Sequence, residues 1–144
     1  MADRVGALIE YFESLPDLTG IPIMAPRLKD SVARQMPRDC IVISQVGGFG
    51  GAIQGMSDYH QRIYLMAYGA TGQKAATLHD KVMVALNNLD SFYSVSKDVW
   101  LYVAELEEGA ADDLDTGSNT NSANTKVAWP YVDSTWGLMT NFDE

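Results

Sequence analysis

The sequence predicts an α+β domain, with about four mainly antiparallel strands packed against two helices. Two segments carry apolar residues at helical spacing, residues 3–15 and 72–89. Four others read as strands, at 40–46, 61–68, 98–106 and 127–139. Between them lie a glycine-rich stretch and an acidic, polar stretch in which neither period survives.

The first helix rests on Val5, Leu8, Ile9, Phe12 and Leu15, which form a single stripe. Asp3 stands at its start, where the helix dipole favours an anion. Pro16 ends it, because a proline pushes the residue before it out of helical geometry. Residues 16–38 hold four of the five prolines, and Ile21–Ala25 reads as a short edge strand there. Arg27, Lys29, Arg34 and Arg38 make a sparse basic segment, read as a solvated loop.

Cys40–Val46 is apolar on both alternate sets, as a central strand covered on both faces would be. Cys40 itself reads as a small buried hydrophobe. In Gln61–Tyr68, Ile63, Leu65 and Ala67 face one way, and Arg62, Tyr64, Met66 and Tyr68 the other. The connection between these strands, residues 47–59, reads as a long flexible loop with five glycines in nine residues from Gly47 to Gly55. Its Phe49, Ile53 and Met56 are apolar side chains that call for a partner or a core to cover them.

Thr71 caps the second helix, whose apolar face is Ala75, Leu78, Val82, Ala85, Leu86 and Leu89. Val84 lies nearly opposite that stripe and is a candidate subunit contact. His79 falls at the stripe's edge and reads as a boundary residue. In the third strand, Val99, Leu101, Val103 and Glu105 alternate with Trp100, Tyr102, Ala104 and Leu106. Residues 107–126 read as a flexible acidic and polar arm or as a long hairpin tip. Pro130 places the last strand at a sheet edge or a bulge.

With 144 residues, 47% of them apolar and 20% charged, the chain is expected to form one domain, residues 1–144, that needs no disulfide or metal. No basic stretch followed by a long apolar core opens the sequence, so a soluble protein made in a cytoplasm is expected. The net charge of −9 is uneven. Residues 1–100 carry nine basic and ten acidic side chains, whereas residues 101–144 carry one and nine. An acidic surface of that kind repels nucleic acid rather than gripping it.

Catalytic patterns are broken wherever they begin. Gly48-Phe49-Gly50 lacks the third glycine of a dinucleotide-binding turn. Gly55-Met56-Ser57-Asp58-Tyr59 opens like a nucleophile elbow but closes on tyrosine. Asp112, Asp113 and Asp115 lack the glycine and terminal glutamate of a calcium loop. A triad of Ser57 with His60 or His79 and Asp58 or Asp80 can be composed on paper, and only geometry could support it. The expectation is a non-enzyme without cofactor, metal or catalytic residues.

The order of parts resembles a known family. A first helix and a proline-rich stretch with Ile21-Pro22-Ile23 and Pro26 precede Pro37-Arg38-Asp39-Cys40-Ile41-Val42-Ile43-Ser44. After the loop come His60–Tyr68, a helix with Ala75, Leu78, Val82 and Leu86, and strands around Trp100–Leu106 and Tyr131–Met139. This layout is similar to that of the tail-terminator and tail-completion proteins of long-tailed bacteriophages, including the lambdoid type. The resemblance implies a structural virion protein of the tail or neck, made in the host bacterial cytoplasm. Such a protein forms a ring, usually a hexamer, on the tail tube, stops its polymerisation and offers a joining surface to the head. The implied partners are identical copies, the tail tube protein and a neck or head-completion protein. DNA would pass without specific binding.

A ring closes by repeating one heterologous contact. Phe49, Ile53, Met56 and Val84 are candidates for it. Glu105, Glu107, Glu108, Asp112, Asp113 and Asp115 are candidates for a negative lumen. The alternatives are a head-completion or neck adaptor protein, a monomeric binding module, and a small hydrolase or ligand-binding domain using Ser57 and a histidine.

Overall fold

In the computed structural model, which describes residues 3–50, 58–115 and 129–141, the first element is α1, Arg4–Glu13. It is followed by a 3-10 turn at Pro16–Leu18, β1 at Ile23–Met24 and a short α2 at Asp30–Ala33. Then come β2 (Cys40–Gly50), β3 (Asp58–Tyr68), α3 (Gly72–Asn87), β4 (Phe92–Ser94), β5 (Val99–Asp115) and β6 (Trp129–Asn141). The strands form one curled, mixed sheet in the order β1-β2-β3-β6-β5-β4. Among the described residues, only the β1–β2 pair is parallel.

The fold is therefore α+β as expected, with six strands rather than about four and three helices rather than two. The strands also run further than their apolar patterns. Residues 47–50 and 58–59, expected in a flexible loop, belong to β2 and β3. Residues 107–115, expected in a flexible arm or long hairpin tip, continue β5. Ladder hydrogen bonds need no hydrophobic side chain, so glycine-rich and acidic stretches extend a ribbon that the apolar period cannot reveal. β6 is an interior strand, not an edge. Pro130 is tolerated because it lies beyond the end of β3, whose Tyr68 pairs with Tyr131.

β6 sets the two faces. Ser134, Trp136, Leu138 and Thr140 are buried on one side, with Gly137 and Met139 on the other. Against the first side, called here the inner face, pack α1 through Val5, Leu8 and Phe12 and α3 through Leu78, Val82 and Leu86. Ile41, Ile43, Ile63, Leu65 and Trp136 complete this core. Of the stripes expected of the helices, Val5, Leu8, Phe12, Ala75, Leu78, Val82, Ala85 and Leu86 are buried, Ile9 is half-buried, and Leu15 and Leu89 pack against the core from just past the helix ends. On the other, outer face a smaller core lies under α2, where Met24, Met36, Cys40, Val42, Tyr68 and Trp129 meet Leu28, Val32 and Ala33. Cys40 is fully buried there, which pushes its thiol up to about 12.

Polar anchors fix α1. Asp3 caps it through the Gly6 amide at 2.7 Å. The buried Arg4 donates to Thr140 Oγ1 at 2.6 Å and to the Asn141 carbonyl at 3.1 Å, tying the helix to the end of β6. Tyr11 donates from its hydroxyl to the Ala85 carbonyl at 2.6 Å, satisfying an acceptor in the last turn of α3. Glu10 accepts from Ser94 at 2.6 Å and Ser96 at 2.5 Å, which holds its carboxyl below the usual range and fastens α1 to the β4–β5 turn.

At the β3–α3 junction, Thr71 caps α3 by accepting from the Lys74 amide at 3.2 Å. A Cβ on Gly69 would fall 2.3 Å from the Ala75 nitrogen and 2.7 Å from the Lys74 carbonyl carbon, both rigid helix backbone. A Cβ on Gly72 would meet nothing within 4 Å. Gly69→Ala is expected to destabilise the fold by about 2 kcal/mol or more. Gly72→Ala is expected to stabilise it by roughly 0.5 kcal/mol, since alanine loses less backbone entropy in a helix. Urea denaturation of the two variants against the parent checks both signs.

Candidate interaction surface

Beyond α2, no described helix covers the outer face of β3, β6, β5 and β4, and its side chains change character from one end to the other. At one end stands an aromatic group. Tyr93 and Trp100, paired across β4 and β5, have ring centroids 5.0 Å apart. Trp100 and Tyr102 stack at 6.3 Å with planes 6° apart. Trp100, Val103 and Met139 keep 41%, 46% and 37% of their surface exposed, a contiguous apolar patch on a strand pair.

The expected alternation along β5 breaks here. Leu101 and Ala104 are both buried while Val103 is exposed, because the register against β6 shifts between Leu101 and Val103. A bulge inserts one residue and flips every side chain beyond it to the other face.

The middle of the face is ionic. Arg62 Nε lies 2.8 Å from Glu107 Oε1, and His60 Nε2 lies 3.8 Å from Glu107 Oε2. The two β3 residues reach Glu107 on β5 across Gly137 of β6. A Cβ at Gly137 would fall 2.3 Å from His60 Nε2 and 2.5 Å from Glu107 Oε2, so the absent side chain is what leaves room for the cluster. Arg62 is 47% exposed, which limits the pair to about 1 kcal/mol or less.

Toward the far end, tyrosines meet carboxylates. Tyr64 donates to Asp133 Oδ2, and burial followed by that carboxylate pushes its hydroxyl well above the ordinary 10. Tyr131 reaches Asp113 Oδ2 at a long 3.4 Å.

The candidate residues divide as follows. Ile53, Met56, Ser57 and the polar part of the arm at 116–126 lie outside the described residues. Phe49 is described as backbone only, opposite His60 in the β2–β3 ladder. Val84 is 57% exposed on α3, away from the core stripe. Glu105, Glu107, Glu108, Asp112 and Asp113 are all exposed. Glu105, Glu108 and Asp113 pair with outer-face residues of β6, and Glu107 reaches the same face through Arg62. Asp112 pairs with Val132 and falls on the inner side, and Asp115 pairs with Trp129 at the strand's end. The acidic residues thus share one strand but not one face. Sequence reasoning passed over Trp100, Tyr102 and Arg62. Their signal was the large aromatic and the arginine in alternate positions opposite a core set.

His79 is not a boundary residue. It is 1% exposed on the inner face, with Nε2 2.8 Å from Ser134 Oγ. Trp136 Nε1 donates to the same oxygen at 2.8 Å. That indole can only donate, so Ser134 can pass its own hydrogen to a neutral His79 Nε2. His60, by contrast, lies on the outer face, so the sheet separates the two histidines.

No protein-family model matches the chain, and no curated protein matches it. No helix among the described residues is long and apolar enough to cross a membrane.

Burial holds His79 below its ordinary 6.5, against the opposing pull of Asp80, Asp133 and Asp112. The unfolded chain then binds a proton in a pH window where the folded one does not. The stability tied to this group is complete above the ordinary value and falls as pH drops toward the lowered one. Thermal melts from about pH 8 to about pH 5 should therefore show a falling midpoint in the parent, and His79→Gln should flatten that part of the slope.

Proposed function

We propose that this chain is a ring-forming structural protein of a bacteriophage tail, a terminator that caps the tail tube and offers the joining surface to the head. The observation that carries the reading is the placement of two long hairpins at opposite ends of one sheet. β2 and β3 are each 11 residues long, and β5 and β6 run to 17 and 13. Ordinary strands have about 5–6 residues. The β2–β3 ribbon ends level with Thr140 and Asn141, whereas the β5–β6 ribbon ends at Asp115 and Trp129, past the end of β3. A subunit built this way can touch one neighbour above and another below while its sheet lies along the common axis. That is the geometry a cap between tube and head needs.

The surface chemistry agrees with passive passage of DNA. The β5–β6 ribbon carries Asp112 and Asp113 near its end, and Asp133 stands on β6 close by. Negative charge on both faces of a ribbon end lets a polyanion slide past without trapping it. No reaction is assigned to the chain: Ser134 and His79 are both buried, and the Ser134 hydroxyl is engaged by His79 and Trp136. A neck adaptor would use the same ribbons, and the location of the protein in purified headless tails separates the two.

Sedimentation of the purified chain, alone and with tail tubes, is the direct test. A closed species near six times the 15.8 kDa chain is expected. A chain that stays monomeric in both conditions would remove the ring. In assembled phage, Asp112→Lys with Asp113→Lys is expected to leave particle yield unchanged and slow DNA release, read as delayed genome ejection in vitro.

A further inference from the structure

Two strand edges of this sheet lack partners among the described residues. β1 pairs with β2 only at Ile41 and Val42, so the outward edge of β2 is open from Gln45 to Gly50. β4 pairs with β5 only over Val99–Leu101, so the outward edge of β5 is open from Val103 onward. Unpaired edges expose rows of N–H and C=O groups that template a further strand.

The two edges match in direction, level and chemistry. Following the sheet order, β2 and β5 run in opposite senses, so β5 of one copy would meet β2 of the next as an antiparallel pair. The ladder Gln45–Ile63–Trp136–Leu106 places Leu106 level with Gln45, and Ser44–Tyr64–Thr135–Glu108 places Glu108 level with Ser44. A rotation about an axis along the strands keeps those levels. Between its bulges, β5 has an unbroken register over Val103–Leu106, the part facing that edge.

Each face then finds its complement. Leu106 pairs with the inward Trp136 yet is 39% exposed. On the same inner side, along the edge of β2, an open groove of about 390 Å³ runs between α1 and β2, with Val5, Ile9, Ala25 and Ile43 among its walls. On the outer side, Glu105 and Glu108 are exposed carboxylates. Beside β2, the Pro26 carbonyl accepts from Ser44 Oγ at 2.9 Å, which brings the exposed Arg27 to that level; the segment that follows carries Lys29 and, just past α2, Arg34, both exposed. None of these five charges has an ion-pair partner among the described residues.

We propose that the copies join by strand addition, the β5 edge at Val103–Leu106 of one pairing with the β2 edge at Gln45–Phe49 of the next. Leu106 enters the α1–β2 groove, and Glu105 and Glu108 face Arg27, Lys29 and Arg34. The contact is heterologous and so repeats until it closes. It deepens the ring reading above and rests on it.

Sedimentation velocity over a concentration range, with native mass spectrometry, tests the contact. Glu105→Lys with Glu108→Lys, and separately Arg27→Glu with Arg34→Glu, should each weaken self-association about tenfold or more. Combining all four reversals should recover most of it, which general damage could not do. Leu106→Asp should abolish the ring while the exposed position leaves the far-ultraviolet circular dichroism of the monomer intact. A ring that persists unchanged in every variant overturns this interface and leaves the ring reading standing. Variants that form rings normally but no longer attach to tubes assign the edges to the tube protein and also overturn it. A parent chain that never self-associates, with or without tubes, overturns both.

Discussion

The period of two along β6 governs this molecule. Each residue of a strand faces opposite to its neighbour, and β6 lies between β3 and β5, so its parity fixes theirs. Trp136, fully buried in the core beneath the helices, commits that parity, and its indole N–H donates to Ser134. A slip of one residue would carry Trp136, Leu138 and Thr140 to the open face and bring Met139 and Asp133 under the helices. Arg4, Tyr11 and His79 then read as fasteners for this arrangement. Each ties a helix to a buried polar group of another element that the packing would otherwise leave unsatisfied.

With most of the inner face covered by the helices, the surface left for other molecules is the outer face, the edges with the groove beside β2, and the ribbon ends. Those parts differ from the core in composition. The outer face holds its polar groups in cross-strand sets, Arg62 with Glu107 and Tyr64 with Asp133, and leaves Trp100, Val103 and Met139 in contact with solvent. The bulges in β5 concentrate this asymmetry. One exchanges Val103 for Ala104 in the core, and another lets Glu107 turn toward Arg62. A β-edge that is bulged and charged over most of its length resists casual pairing. A short regular stretch within such an edge can then select its partner by charge and by shape. A ring built from rigid sheets requires that selectivity, because one heterologous contact must exclude every other.

The local periods were legible without coordinates. α1 and α3 bury most of the stripes their 3.6-residue spacing announced, and Asp3, Pro16 and Thr71 mark the ends they were expected to mark. Gln61–Tyr68 is a strand with the anticipated buried set, and the short Ile23–Met24 strand is at an edge; Cys40–Ile43 is buried on both faces as expected, but β2 lies next to the sheet edge and Val46 is 51% exposed rather than covered. The matches follow from residues close in sequence, where burial of one face suffices to decide the structure. Of the candidate surface, Val84, Glu105, Glu107, Glu108, Asp112 and Asp113 are exposed as read, while Trp100, Tyr102 and Arg62 needed the sheet to bring them together.

Sequence by itself determined the class of fold, the two helix faces, the apolar centres of the main strands and the concentration of negative charge in the last third of the chain. Tertiary structure alone decided how far the strands run, that β6 is interior despite Pro130, that His79 is sealed against Ser134, and that a bulge beside Tyr102 turns Val103 outward. The reason is the range of the forces involved. Helix pattern and charge are properties of neighbouring residues, but strand length, strand order and bulges arise from hydrogen bonds between backbones far apart in sequence, which are nearly blind to side-chain type.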